Sequence, residues 1–108
     1  MELLRAGDPE LAPPVLRSPE EEAERTRPWR VVVHNDDYTP AEYVTRILHE
    51  VFRLGWPRAT LVMVRAHVSG QAQVAVLPKD EASRRVATAH ARARGDGWPL
   101  RFSQEPLD

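Results

Sequence analysis

The segment His34-Asn35-Asp36-Asp37-Tyr38-Thr39-Pro40 concentrates hydrogen-bond acceptors at one point of the chain. Two carboxylates and an amide stand in a single turn directly after an apolar run. Their oxygens accept hydrogen bonds, so such a turn suits a cation. Asn, Asp and Pro also favour ordinary turns, and Asp37 or Thr39 could simply cap the helix that follows. A second candidate is His67, beside Ala66 on the same helical stretch as Met63. A lone histidine near an apolar stripe is also a common structural residue. His34, Asp36 and His67 could be imagined around a metal, but no His-x-x-x-His or comparable ligand spacing is present, so no metal site is expected. A third candidate is Asp80 with Arg84 and Arg85. Asp80 and Arg84 form an i,i+4 pair of opposite charge, the spacing of a plain solvated helix face.

Catalytic patterns are missing. There is no nucleophile elbow, P-loop or dinucleotide fingerprint, and the glycines at 7, 55, 70, 95 and 97 form no phosphate cradle. Asp36, Asp37 and His67 have no partner in a nucleophile context, since neither Ser69 nor Thr39 lies in one. No catalytic residue and no cofactor are expected. The chain has no cysteine, which excludes disulfides, thiolate zinc sites and cysteine nucleophiles. Its net charge of −1 argues against general affinity for nucleic acid or an anionic membrane. No stretch approaches the ~20 apolar residues that span a bilayer. The first residues lack a basic region followed by an apolar run, so no secretory signal is expected. These readings predict a soluble, cytoplasmic monomer.

The elements that position the candidates follow from spacing. With 108 residues, 42% of them apolar, the chain suffices for one domain with a modest core. Residues 1–27 differ in character. They hold four prolines, no aromatic residue, and four basic against seven acidic side chains, net −3; the remainder carries eleven and nine, net +2. Such a segment buries too little apolar surface to offset the entropy of ordering, which predicts a flexible N-terminal extension before a core domain over 28–108. Trp29–His34 reads as a buried strand. Thr39 is a good N-cap, with Pro40 at the first helical position. Val44, Ile47, Leu48, Val51 and Phe52 then form an amphipathic stripe that Gly55 ends. Pro57 opens a second helix with Ala59, Val62, Met63 and Ala66 on its apolar side, running through His67 and stopped by Ser69-Gly70. Gln71–Leu77 alternates as a strand. Asp80 opens a third helix, striped by Ala82, Val86, Ala89 and Ala93 and stopped by Gly95-Asp96-Gly97. Leu100–Ser103 is a last short strand near the first. The order β-α-α-β-α-β predicts an α+β domain, with helices packed on one face of a three-stranded antiparallel sheet.

The string Val33-His34-Asn35-Asp36-Asp37-Tyr38-Thr39-Pro40, followed by Arg58-Ala59-Thr60, Met63, His67 with Gly70, and Pro99-Leu100, resembles the ClpS adaptors of the bacterial N-end rule pathway. The resemblance runs in order from Trp29 to Glu105. It implies a protein that binds substrates starting with Phe, Tyr, Trp or Leu, an N-degron. Such an adaptor docks on the N-terminal domain of the ClpA or ClpC AAA+ unfoldase and passes the substrate on to ClpP, without breaking a bond itself. Carried over by position, Asn35, Asp36 and His67 would hold the substrate α-amino group. Thr39, Ala41, Val44, Met63, Ala66 and Leu100 would line a pocket for the first side chain, with Asp37 at its rim. Asp80 and Arg85 would face the unfoldase.

Two positions depart from the family's habit. Many members carry Met where this chain has Ala41, and a larger aliphatic often replaces Ala66. In the family that methionine excludes β-branched first residues, so its absence implies wider tolerance, unless Tyr43 or Trp98 refills the space. A ribosome-stalk-like interaction domain without N-degron binding shares the expected fold, but would not need the acceptor-rich turn. A small hydrolase using His67 and Asp36 is the enzyme alternative.

Overall fold

Strand β1 (Pro28–His34) owes its central place to its β-branched run: Val31 and Val33 alternate onto one face and are essentially unexposed. The computed structural model describes residues 16–107. β1 pairs antiparallel with β2 (Gln71–Pro78) on one edge and β3 (Arg101–Pro106) on the other, so the sheet order is β2-β1-β3. The β1–β2 register shifts between Val31 and Val32, leaving Val74 as an extra residue of β2; this bulge places Val74 in the core, at 0% exposure. The core-facing side is covered by α2 (Ala41–Glu50), α3 (Trp56–Ser69) and α4 (Lys79–Gly95). On the opposite side Arg30 bonds to Gln73 and Glu105 across the strands. The expected α+β architecture is observed, with one further helix at its start.

That helix is α1 (Pro19–Thr26). Composition predicts a flexible extension over residues 1–27; residues 19–26 form a helix instead, while residues 1–15 lie outside the described residues. Its cause is local. Ser18 Oγ accepts from the Glu21 amide, the Glu21 carboxylate accepts from the Ser18 amide, and Pro19 occupies the first turn. α1 buries none of its residues. It rests on α4 through Arg25–Asp80 at 2.5 Å and Lys79–Glu24 at 3.4 Å.

The helix stripes match their spacing. Ile47, Leu48, Val51 and Phe52 are buried, as are Ala82, Val86, Ala89 and Ala93 on α4. Three of those α4 positions are alanines with no exposure, which lets the helix backbone lie close to the sheet. Helix ends differ from expectation at two points. Pro40, not Thr39, is the N-cap of α2, and it offers no side-chain cap. Gly55 does not end α2: the chain turns through Arg53, at φ 63, and Leu54 N–H closes on the Leu48 carbonyl at 3.2 Å. Gly55 instead serves as the N-cap of α3. Gly97, at φ 85, ends α4 as predicted, with Trp98 N–H reaching the Ala93 carbonyl at 2.8 Å.

Two histidines anchor β3. His34 Nε2 is hydrogen-bonded to Ser103 Oγ at 2.7 Å, and Phe102 N–H donates to His90 Nε2 at 2.9 Å, which requires that nitrogen unprotonated. Burial, then the Arg101 charge, holds the His34 pKa below the ordinary 6.5. His90 is lowered by burial first, then by Arg94. Both groups therefore take up a proton more readily in the unfolded chain. Their contribution to stability is present above pH 6.5 and is lost as pH falls below it through the lowered folded values. Urea unfolding is expected to show lower stability at pH 5 than at pH 7.5, with the difference reduced in His90→Asn. Leu48 is fully buried. Leu48→Ala is expected to lower the unfolding free energy by about 2–5 kcal/mol. Val68→Ala, at an exposed position, is expected to change it by about 0.5 kcal/mol or less.

Candidate functional site

Where β1 ends, Asn35 N–H donates to the Gly70 carbonyl at 2.9 Å, which fastens the start of the turn to the end of α3. Gly70 has φ 91, and a Cβ there would meet nothing within 4 Å. Glycine is thus required by the backbone and not by space. This link sets the Asn35–Asp36 turn beside His67, which lies in the last turn of α3. Between them opens a cavity of about 240 Å³, lined by Val33, His34, Asn35, Asp36, Asp37, Thr39, Ala41, Val44, Met63, Ala66 and His67. β1, the turn, α2 and α3 each supply part of the wall. Val44, expected on the α2 core stripe, is only half-buried and faces this cavity.

Asp36 organises the turn. Its Oδ1 accepts from the Tyr38 amide at 2.8 Å and the Thr39 amide at 2.7 Å, and Oδ2 accepts from Thr39 Oγ1 at 2.9 Å. Thr39 therefore spends its hydroxyl on Asp36 and not on capping α2. Burial alone would raise the Asp36 pKa. The Thr39 and Tyr38 amides, the Thr39 hydroxyl and the Arg94 charge outweigh it and hold the carboxyl below its usual value. A carboxylate has about four acceptor positions; three are used here, which leaves one on Oδ2. The amide of Asn35 and the ring of His67 are exposed. The cavity thus pairs anionic and neutral acceptors with an apolar wall of Val33, Ala41, Val44, Met63 and Ala66.

Of the residues singled out by resemblance, all but three line this cavity. Leu100 does not. It is 1% exposed and belongs to the core cluster, and its carbonyl accepts from Arg94 Nη1 at 2.7 Å. Asp80 and Arg85 lie on α4, which contributes no lining residue. Asp80 pairs with Arg25 of α1 and not with Arg84; the i,i+4 pair on this helix is Glu81–Arg85. Arg85 also donates to the Val51 carbonyl at 3.4 Å. Val33 and His34 line the cavity without having been assigned to it. Their signal was position alone: they close the strand that leads into the turn. Tyr43 and Trp98 do not refill the space beside Ala41. Their rings lie 6.3 Å apart, and Tyr43 Oη donates to Asp96 at 2.6 Å. Among the described residues, no group of three or more His, Cys, Asp or Glu could hold a metal ion. No helix among them is long and apolar enough to cross a membrane.

Comparison with known proteins meets this geometry. The profile of the family "ATP-dependent Clp protease adaptor protein ClpS" matches residues 24–103. The ATP-dependent Clp protease adapter protein ClpS of Desulfatibacillum aliphaticivorans is 39% identical over 92 residues, covering 85% of this chain and 88% of its own length. The ClpS of Deinococcus radiodurans is 41% identical, covering 79% of this chain and 75% of its own. Among solved structures, ClpS2 of Agrobacterium tumefaciens bound to L-phenylalaninamide superposes with a TM-score of 0.72 at 39% identity, over 76% of this chain and 99% of that one. Sequence, fold and turn converge, and the chain belongs to the ClpS family of ATP-dependent Clp protease adaptors.

Proposed function

We propose that this adaptor recognises proteins by a free N-terminal residue with a bulky hydrophobic side chain, Phe, Tyr, Trp or Leu. It then delivers them in the cytoplasm to the N-terminal domain of a ClpA or ClpC unfoldase for degradation by ClpP, breaking no bond itself. The observation that carries this reading is the cavity, with three acceptors at one end and an apolar wall beyond. A protonated amine has three donors. The Asn35 side-chain oxygen, the remaining Oδ2 position of Asp36 and an unprotonated His67 nitrogen accept all three. An internal peptide offers one neutral N–H, so the arrangement selects chain ends. Ala41, Val44, Met63 and Ala66 receive the first side chain, whose burial contributes about 1.5–3 kcal/mol. Thr39 completes that lining and Asp37 stands at its rim. L-Phenylalaninamide, the ligand of the Agrobacterium relative, has a free α-amine, a benzyl side chain and an amide where a chain would continue. It is the chemical outline of such a first residue.

A fluorescent peptide starting with Phe is expected to bind, and its N-acetylated form is not; equal binding of the two refutes the reading. Asp36→Ala removes a charged acceptor and loosens the turn. At about 1.5–3 kcal/mol per charged hydrogen bond, affinity is expected to drop about 10- to 150-fold. His67→Ala is expected to fall in the same range. Because Ala41 puts only a methyl group at its part of the wall, peptides starting with Ile or Val are expected to bind measurably. Complete rejection of both shows that the space is closed by other means. Docking through Asp80 and Arg85 exchanges their present pairs for intermolecular ones. Arg85→Glu is expected to weaken unfoldase binding about tenfold, while peptide affinity is retained.

A further inference from the structure

A second, wider groove lies between α2 and α3, with a volume of about 510 Å³ and walls of Ala41, Glu42, Thr45, Arg46, Trp56, Thr60 and Met63. Ala41 and Met63 line both this groove and the cavity described above. The Ala41 methyl group and the unbranched Met63 thioether therefore form a wall common to the two spaces. Met63 is half-buried at the edge of the core, so its side chain is confined on one side only. Methionine has three rotatable bonds and adapts to irregular gaps at little energetic cost. Beyond it, the indole of Trp56 is half-exposed and held in place by stacking on His49, with ring centroids 3.9 Å apart and planes at 21°. His49 is itself fixed, donating from Nδ1 to the Leu54 carbonyl at 2.7 Å. Arg46 lies over the Tyr43 ring and presents a cation on the same wall.

We propose that the first-residue pocket continues past Ala41 and Met63 into the α2–α3 groove. The site then accepts elongated first side chains whose distal end is aromatic, seated against Trp56. The proposal rests on the N-terminal recognition proposed above and names the substrate class of that same site. Met63 is the partition: it closes the pocket over a short side chain and swings aside for a long one. Trp56 and Thr60 act only on the distal end, since neither lines the first cavity. Specificity for length is then set on α3, about two to three turns before His67.

The test uses the full chain and two peptides of one sequence, starting with Phe or with 4-phenyl-phenylalanine, each free and N-acetylated, read by fluorescence anisotropy. The extended peptide is expected to bind within about tenfold of the Phe peptide. Thr60→Trp, which fills the groove from an exposed position, is expected to lower the ratio of extended to Phe affinity at least about tenfold. Nuclear Overhauser contacts are expected between the distal ring and the Trp56 indole. A penalty above tenfold for the extended peptide overturns the proposal. So does a ratio unmoved by Thr60→Trp in a variant whose circular dichroism is unchanged, or a distal ring with contacts only outside the groove. If the Phe peptide itself fails to bind, or binds equally when acetylated, the N-terminal reading fails instead.

Discussion

The Asp36 carboxylate carries the turn on which the rest of the site depends. It accepts from two consecutive amides and one hydroxyl within three residues, and that local closure turns the chain from the end of the central strand into α2. Without it, the adjacent Tyr38 and Thr39 amides would lose the side-chain acceptor that closes the turn. The bonds also lock the carboxylate in one orientation before any ligand arrives, so binding need not pay to order it. The same bonds keep the group ionised by lowering its pKa against the opposing effect of burial. Under the recognition proposed above, a site that holds a cation gains from both. The second tie, from the Asn35 amide to the Gly70 carbonyl, couples this turn to the helix that holds His67. Three acceptors from two distant stretches thus face one cavity without a direct bond between them.

Most of this frame was legible because its signals are strong and local. The valine run of β1, the four-residue stripes of α2 and α4 and the glycine stops at Gly70 and Gly97 correspond to the observed elements. The misreadings have physical reasons. α1 was passed over because its composition is polar throughout, yet Ser18 and Glu21 stand at capping-box spacing, and that box needs no apolar face. Arg53 takes the left-handed turn expected of Gly55, because the N–H that closes on the Leu48 carbonyl is that of Leu54, one residue before the glycine. Thr39 has the chemistry of an N-cap, but Asp36 captures its hydroxyl. For the site, residue types suggested only a cation-friendly turn. The grouping of that turn with His67 came from family resemblance, since nothing in the spacing of positions 35 and 67 brings them together. For Leu100 the sequence alone does not separate a leucine that lines a cavity from one that fills the core, since that depends on the path of the loop before β3, where Arg94 Nη1 donates to the Leu100 carbonyl.

The cavity exists because the core is built to be incomplete at one corner. α2 and α3 bury Ile47, Leu48, Ala59, Val62 and Ala66 against the sheet, while Val44 and Met63, on the same helices, are left half-buried. Close packing would ordinarily close such a gap, since a buried void forfeits dispersion contacts along its lining. Here the gap opens to water at the acceptor-rich end, so it is not a sealed void. The small side chains at Ala41 and Ala66 set its size. Core and pocket are therefore one packing problem. A substitution on the α2 or α3 stripe that repacks the core also reshapes the pocket, whereas α4 supplies none of its lining, and its exposed face lies outside this packing.

α4 is free to serve a different partner for that reason. Its two flagged charges are already paired, Asp80 with Arg25 and Arg85 with Glu81. The first pair holds α1, which buries no residue and so draws little from the hydrophobic effect. What orders α1 is its capping box together with exposed ion pairs, each of which contributes about 0–1 kcal/mol. Under the docking proposed above, a partner's cation replacing Arg25 at Asp80 exchanges one such pair for another, and the free energy lost with α1 is of that small order. The pair within α4 behaves differently, because Glu81 and Arg85 sit one turn apart on a helix that stays folded. The two charges proposed for docking therefore differ in kind: Asp80 leaves Arg25 only when α1 moves, whereas Arg85 has to leave Glu81 and the Val51 carbonyl while its helix stays in place.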